Sequence, residues 1–319
     1  MSFFRSKFAM VSADLLSETA VESTPWLWES YLAAGLISLL TSRWKSGKTT
    51  LVSLLLSRMR HGGELAGSPV FAGRTIVVSE ETVALWAGRA QRLQIGAETQ
   101  LLSRPFRGRP SFEQWLELID GLAAEKPDLV VIDPLAMFLP GVVENSAAAM
   151  LNVLDPLRRL TDVGAAVLIL HHPRKGTTAN DLSPRGTGAL QGFVDILIEL
   201  DRPPNTAFDD RRRRLRAASR LQSATQITIE LNVAGTDYAL CNLTPEPDGF
   251  DLGWPVVQLI LQDAPEPLTR RQIFAAWSES HDRPSVSTLK RWLDKAAGEG
   301  LMQVEGAGTR HGPFRYGAK

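Results

Sequence analysis

The sequence predicts an α/β protein: a parallel sheet with helices on both faces, followed by a smaller, mostly helical unit. Three observations carry this. Near-continuous apolar runs such as Thr75–Ser79 and Asp128–Ile132 alternate with segments of helical spacing, the pattern of strands buried on both faces. The alternation stops at Thr244–Gly253, TPEPDGFDLG, whose Pro, Gly and acidic content reads as a linker. The chain has 319 residues, which suits two cores better than one.

In chain order, residues 1–24 read as a lead-in and 25–243 as the α/β unit. Gly35–Leu40 predicts a strand entering a glycine-containing loop, and Lys48–Arg60 a helix. Thr75–Ser79 is a β-branched strand followed by a helix over Val83–Leu93, and Phe112–Glu125 is an amphipathic helix. Asp128–Ile132 predicts a buried strand with an acid after it, Ala147–Thr161 a helix and Ala165–Leu170 another buried strand. Val194–Leu200, Arg212–Ser219 and Gln226–Val233 complete the strands. Residues 244–254 are the linker and 255–319 the second unit. There Val256–Gln262 is a short helix, Thr269 caps Arg270–Ser278, and Ser285 or Ser287 caps a helix reaching Glu299. Leu301–Val304 and Pro313–Tyr316 bracket the turn GAGTRHG. Three short helices followed by a hairpin is the order of a winged helix-turn-helix.

Composition narrows the function classes. Hydrophobic residues make up 44% and charged residues 22%, the balance of a globular protein. The net charge is zero, so any attraction to nucleic acid must come from local patches. A single cysteine, Cys241, excludes an intrachain disulfide framework and fits a reducing compartment. The most apolar stretch near the front, Tyr31–Leu40, is half the length of the ~20 residues a membrane span needs. A cytoplasmic protein with no membrane partner is the expectation.

The strongest motif is SRWKSGKT, Ser42–Thr49, between a predicted strand and a predicted helix. That context suits a phosphate-binding loop, in which backbone N–H groups wrap the phosphates at a helix N-terminus. Its nucleotide-binding residues are Ser42, Arg43, Trp44, Lys45, Ser46, Gly47, Lys48, Thr49 and Thr50. Lys48 reaches the β- and γ-phosphates and the Thr49 hydroxyl coordinates Mg²⁺. Ser42 stands where the usual pattern has glycine. The run DLVVID places Asp133 at the end of a buried strand, where an acid holds the same Mg²⁺ through water. Glu80 and Glu81 follow the strand after the loop's helix. Hydrolysis needs a carboxylate to deprotonate the attacking water, and Glu80 is the first choice, with Glu81 the alternative. Finally, VLILHHPRKG brings His171 and His172 to a strand end before a basic loop; a polar residue there can sense a γ-phosphate.

In this order and spacing, over Pro25–Val233, the motifs resemble the RepA-type and DnaB-like branch of RecA-fold P-loop ATPases, an AAA-related group that includes hexameric replicative helicases. The resemblance implies a RecA-like core, ATP and Mg²⁺ as cofactors, and Glu80 as catalytic base. It also implies His172 as sensor and a DNA-contacting loop over Pro173–Gly188 carrying Arg174, Lys175 and Arg185. A late arginine, best matched by Arg220 with Arg216 as runner-up, would reach a neighbouring subunit's site, which implies a homo-oligomer such as a hexameric ring. The large N-terminal domain of replicative helicases has no counterpart here. The block Arg211–Arg214 reads as an arginine finger, a DNA contact or, by default, a solvated hairpin.

From Pro255 to Lys319 there are nine Lys or Arg against seven Asp or Glu. Lys290, Arg291 and Lys295 lie on the expected recognition helix, with Arg310 and Arg315 near the wing, a modest basic face diluted by Asp294 and Glu299; DNA is the expected partner, and a protein contact is the alternative. The expected function is ATP hydrolysis coupled to DNA binding or translocation, as in a plasmid, phage or mobile-element replication ATPase. The alternatives are an ATP-controlled DNA-binding switch and a KaiC-like signalling ATPase.

Overall fold

Short runs of Val, Ile and Leu bury both their faces only inside a sheet that helices cover on both sides. A computed structural model has that arrangement. It describes residues 12, 24–43, 45–141, 147–171, 188–203, 206, 209–241, 249–278, 283–306, 308 and 313–318. Most of the lead-in, Trp44, His172, Arg174, Lys175, Arg185, Arg310 and residues 244–248 of the linker lie outside the described residues.

The chain divides into two units, Met1–Asn242 and Leu243–Lys319. The first begins with strands β1 (Trp26–Trp28), β2 (Leu32–Ala33) and β3 (Ile37–Ser42), then helix α1 (Lys48–Met59). Next come β4 (Gly63–Leu65), β5 (Ser68–Val70), β6 (Thr75–Ser79), α2 (Val83–Leu93), β7 (Thr99–Ser103) and α3 (Phe112–Ala124). They are followed by β8 (Leu129–Asp133), α4 (Ala147–Leu154), α5 (Arg158–Asp162), β9 (Ala166–His171) and α6 (Ala189–Phe193). Strands β10 (Ile196–Asp201), β11 (Arg212–Ser219), β12 (Thr225–Leu231) and β13 (Tyr238–Leu240) complete it.

The main sheet runs β13-β12-β11-β10-β3-β9-β8-β6-β7. Pairing is parallel from β10 through β7 and antiparallel from β10 back to β13. Side chains alternate between two cores, as the strand period requires. On β8, Leu129 and Val131 join Leu54, Leu55 and Trp86 on the α1–α2 face. Val130 and Ile132 join Trp115, Ile119 and Leu157 on the other. A separate small sheet, β2-β1-β5-β4, forms near the front of the unit.

Two of the differences between this unit and the sequence expectation have a plain physical cause. The helix read over Ala147–Thr161 is interrupted by a 3₁₀ turn at Asp155–Leu157, where Pro156 removes a backbone donor. The arginine block is not a solvated face: Arg213 is buried and its neighbours are paired. Arg211 meets Glu230, Arg212 meets Asp210 and Arg214 meets Asp201. Alternation along β11 turns Arg213 and Leu215 inward.

The second unit contains α7 (Gly249–Gln262), β14 (Leu268–Thr269), α8 (Arg270–Ala275), α9 (Val286–Gly298), β15 (Gln303–Glu305) and β16 (Arg315–Gly317). Its sheet runs β14-β16-β15 with antiparallel pairing. Thr269 caps α8 through a reciprocal bond pattern with Gln272, and Ser285, rather than Ser287, caps α9. The expected linker to residue 254 is overtaken by α7, which starts at Gly249 and contains Pro255. Burial overrides the breakers: Trp254, Val257 and Leu261 enter a core with Ile273, Leu289, Trp292 and Leu293. Gly253 is needed there, because a Cβ would lie 2.1 Å from the Trp292 ring.

Candidate active site

Because β3, β9, β8, β6 and β7 run parallel, their carboxyl ends share one edge. Register sets Thr41 beside His171, and Ser79 beside both Asp133 and Ser103. Residues just past these ends converge although they are distant in sequence, the usual location of a ligand on such a sheet.

After Ser42 the chain turns through Arg43–Gly47 into α1. Lys45 and Gly47 take positive φ, 59° and 101°. At Gly47 the backbone conformation favours glycine, and a Cβ would crowd the Tyr238 hydroxyl at 3.1 Å. Ser42 lies within β3, where extended backbone accepts any residue, and this explains why glycine is dispensable there. Its role differs from the sequence reading. It is fully buried behind the loop, where its carbonyl and Oγ accept hydrogen bonds from Lys48 Nζ at 3.1 and 3.0 Å.

The loop and the strand ends enclose a cavity of about 440 Å³ lined by Arg43, Lys45–Thr50, Glu80, Glu81 and Asp133. Lys48 is 6% exposed, and burial pushes its amine down to about 8, with Asp133 opposing. Asp133 is 8% exposed; burial pushes its carboxyl up to about 6, Glu81 adding and Lys48 opposing. Both are held charged at neutral pH at a cost in stability.

The two glutamates behave differently. Glu81 is gripped by Arg89 in a two-pronged pair, Nη2 donating to Oε1 at 2.8 Å and Nη1 to Oε2, while Arg89 also lies over the Trp86 ring. The Glu80 backbone N–H donates to the Asp133 carbonyl at 3.1 Å, and its side chain faces the cavity from an exposed rim. Partial desolvation, then Glu81, raise the Glu80 carboxyl above its ordinary value, with Arg104 opposing.

Among the described residues no group of three or more His, Cys, Asp or Glu could hold a metal ion. The hydroxyl of Thr49 and the carboxylate of Asp133 at one cavity instead form a partial oxygen set. That fits Mg²⁺, which binds through one or two protein oxygens completed by phosphates and water.

His171 ends β9 beside Thr41 and is 5% exposed. Arg220 is exposed beyond the end of β11. β11 is antiparallel to β10, with Asp201 opposite Arg214 and Ile196 opposite Ser219. Arg220 therefore lies at the edge opposite the cavity, roughly 17 Å away along the strands, and cannot serve its own site. Arg216 bonds Gln226 and Glu199. Lys290 and Arg291 are exposed on α9 of the second unit.

One contributor escaped the sequence reading. Arg213 donates from Nε to the Ser46 carbonyl at 2.7 Å and from Nη1 to the carbonyls of Asp210 and Arg212. It braces the phosphate loop from β11. The only sequence signal was alternation, which places Arg213 on the same face as Leu215.

A family model described as an AAA domain matches residues 4–178, more than half of the chain. Comparison with curated proteins gave no match. Among the described residues no helix is long and apolar enough to cross a membrane.

Proposed function

The chain belongs to the AAA domain family, and on that premise we propose that this P-loop ATPase couples ATP hydrolysis to DNA, as a replication-type ATPase resembling RepA-type, DnaB-like enzymes. The convergence of Lys48, Thr49, Glu80 and Asp133 on one cavity carries the reading.

In this reading the open N–H groups at the start of α1 bind the phosphates. A phosphate oxygen takes over from Ser42 as partner of Lys48, whose ammonium offsets charge on the transferring group. Thr49 and Asp133 would hold Mg²⁺, which when bound would supply positive charge against that of the phosphates. Glu80 takes a proton from water as the water oxygen bonds to the γ-phosphorus and the bridging oxygen leaves with ADP. Glu81 holds its geometry through Arg89 and is not the base. Arg220 acts in trans in a homo-oligomer, in keeping with its position away from its own cavity. The loop Pro173–Gly188, with Arg174, Lys175 and Arg185, contacts single-stranded DNA, and His172 senses the γ-phosphate. The second unit acts as a winged helix, with Lys290 and Arg291 on its DNA face.

The test is turnover with and without single-stranded DNA, alongside strand displacement. Wild-type protein should be stimulated, and Lys48→Ala should show no turnover. Wild-type rates in a clean Lys48→Ala preparation would remove the assignment of the site.

A second reading is an ATP-controlled DNA-binding switch without unwinding. The paired arginines of β11 favour it, since they leave little basic surface on that edge for a translocating strand. DNA-stimulated turnover without strand displacement would select it.

A further inference from the structure

The segments that follow β7 and β8 form a second cavity, of about 840 Å³, which shares Glu80 with the nucleotide cavity. Arg104, Arg107 and Arg109 line it, and all three are exposed. Phe106 and Met137 add apolar wall, Met137 being 51% exposed. Two of the arginines are held by backbone: Arg104 Nε donates to the Glu80 carbonyl at 2.7 Å, with its charge also felt by the Glu80 carboxyl, and Arg109 donates to the Gly141 carbonyl. Among the described residues Arg107 and Arg109 form no ion pair, unlike Arg211, Arg212 and Arg214, so the rim of this cavity presents positive charge to an anion.

The lining chemistry selects the occupant. A lone phosphate ion would use the guanidinium groups and leave the apolar wall idle. A peptide of acidic residues alone would do the same. A single strand of nucleic acid uses both, with phosphates on arginine forks and bases on aromatic and apolar side chains. We infer that this cavity binds single-stranded nucleic acid and that Arg104 relays its occupancy to Glu80. The inference deepens the DNA reading above and rests on it and on Glu80 as base.

Arg104 is placed for the relay by two bonds. Its backbone N–H donates to the Ser79 carbonyl at 2.8 Å and its Nε to the Glu80 carbonyl. A phosphate drawing the guanidinium toward the second cavity pulls on the peptide that carries the base, so Arg104 is a positioning residue.

The experiment uses the full chain and a fluorescein-labelled oligo(dT), read by anisotropy against salt. In the Arg107→Ala/Arg109→Ala variant, affinity should fall about tenfold and the log–log salt slope flatten by roughly 1.4, for two lost contacts. Basal turnover should be unchanged. Arg104→Lys keeps the charge and loses the fork: oligo(dT) should bind within about threefold of wild type, while the stimulated kcat drops and the KM for ATP stays put. Ultraviolet cross-linking of the wild-type chain should map oligo(dT) to the peptide containing Phe106, a readout that needs no variant to fold. Unchanged affinity and slope in the double variant, with cross-links confined to Pro173–Gly188, would overturn this inference and leave the DNA reading standing. Absence of any oligo(dT) binding by wild type would overturn both. If poly-glutamate competes as well as oligo(dT) at equal charge, the occupant is an acidic chain and the inference fails.

Discussion

Replacing Asp133 by Asn should stabilise the nucleotide-free protein at neutral pH while impairing its use of Mg²⁺. Asp133 is buried, with its carboxyl pushed from 3.8 up to about 6. Between these values the fold holds the proton more tightly than the unfolded chain does. Stability therefore falls as pH rises through the window, and the full cost is present above pH 6. At about 1.4 kcal/mol per tenfold, the gap corresponds to about 3 kcal/mol. Asparagine lacks this cost, and because the shift already contains the attraction of Lys48, the net gain should be about 3 kcal/mol. Native-state hydrogen exchange at β8 amides measures it, because these report opening of the first unit alone. The variant's advantage should be full at pH 7 and vanish near pH 4. Saturating ATP with Mg²⁺ should reverse the ranking, since a ligand at a thousand times its Kd adds about 4.1 kcal/mol only to the chain that binds it. A pH-independent difference, or a destabilised variant at neutral pH without nucleotide, would refute the electrostatic reasoning.

Glu80→Gln should retain ATP in equilibrium binding and lose most single-turnover hydrolysis, because shape is kept and the base removed. Glu81→Gln weakens the two-pronged grip of Arg89 and should cost turnover less; the opposite ranking would exchange their roles. Arg213→Ala leaves the Ser46 carbonyl without its partner and should lower the unfolding free energy by about 1–3 kcal/mol, with weaker nucleotide binding by calorimetry. Arg213→Lys cannot span the same carbonyls and should rescue only in part. Arg220→Ala subunits mixed with Lys48→Ala subunits should regain turnover, since a mixed interface joins an intact loop to an intact arginine. No recovery from proven mixed oligomers would exclude the trans role.

The sequence alone determined what is local. Glycine at position 47 before Lys48 and Thr49, a buried run ending in Asp133, and two glutamates after Thr75–Ser79 are signals within a dozen residues, read from strand period and loop chemistry. Thr269 and Ser285 as caps are local in the same way. Breakers misled where burial outweighed propensity: Gly249 and Gly253 read as linker and the helix as starting only after Pro255, yet α7 begins at Gly249 because Trp254, Val257 and Leu261 find a core. Strands of two or three residues, such as β1, β2 and β5, are too short to show a period. Only the tertiary structure decided which neighbours share a site. The sheet inserts β9 between β3 and β8 and pairs Ser79 with Asp133 across 54 positions of chain. It separates Glu80 from Glu81 by giving one of them an arginine eight residues along α2. It also turns one arginine of a charged run inward, 167 residues from the Ser46 carbonyl it holds. The physical reason is that periodicity specifies which face a side chain takes, whereas strand order and register specify what that face meets.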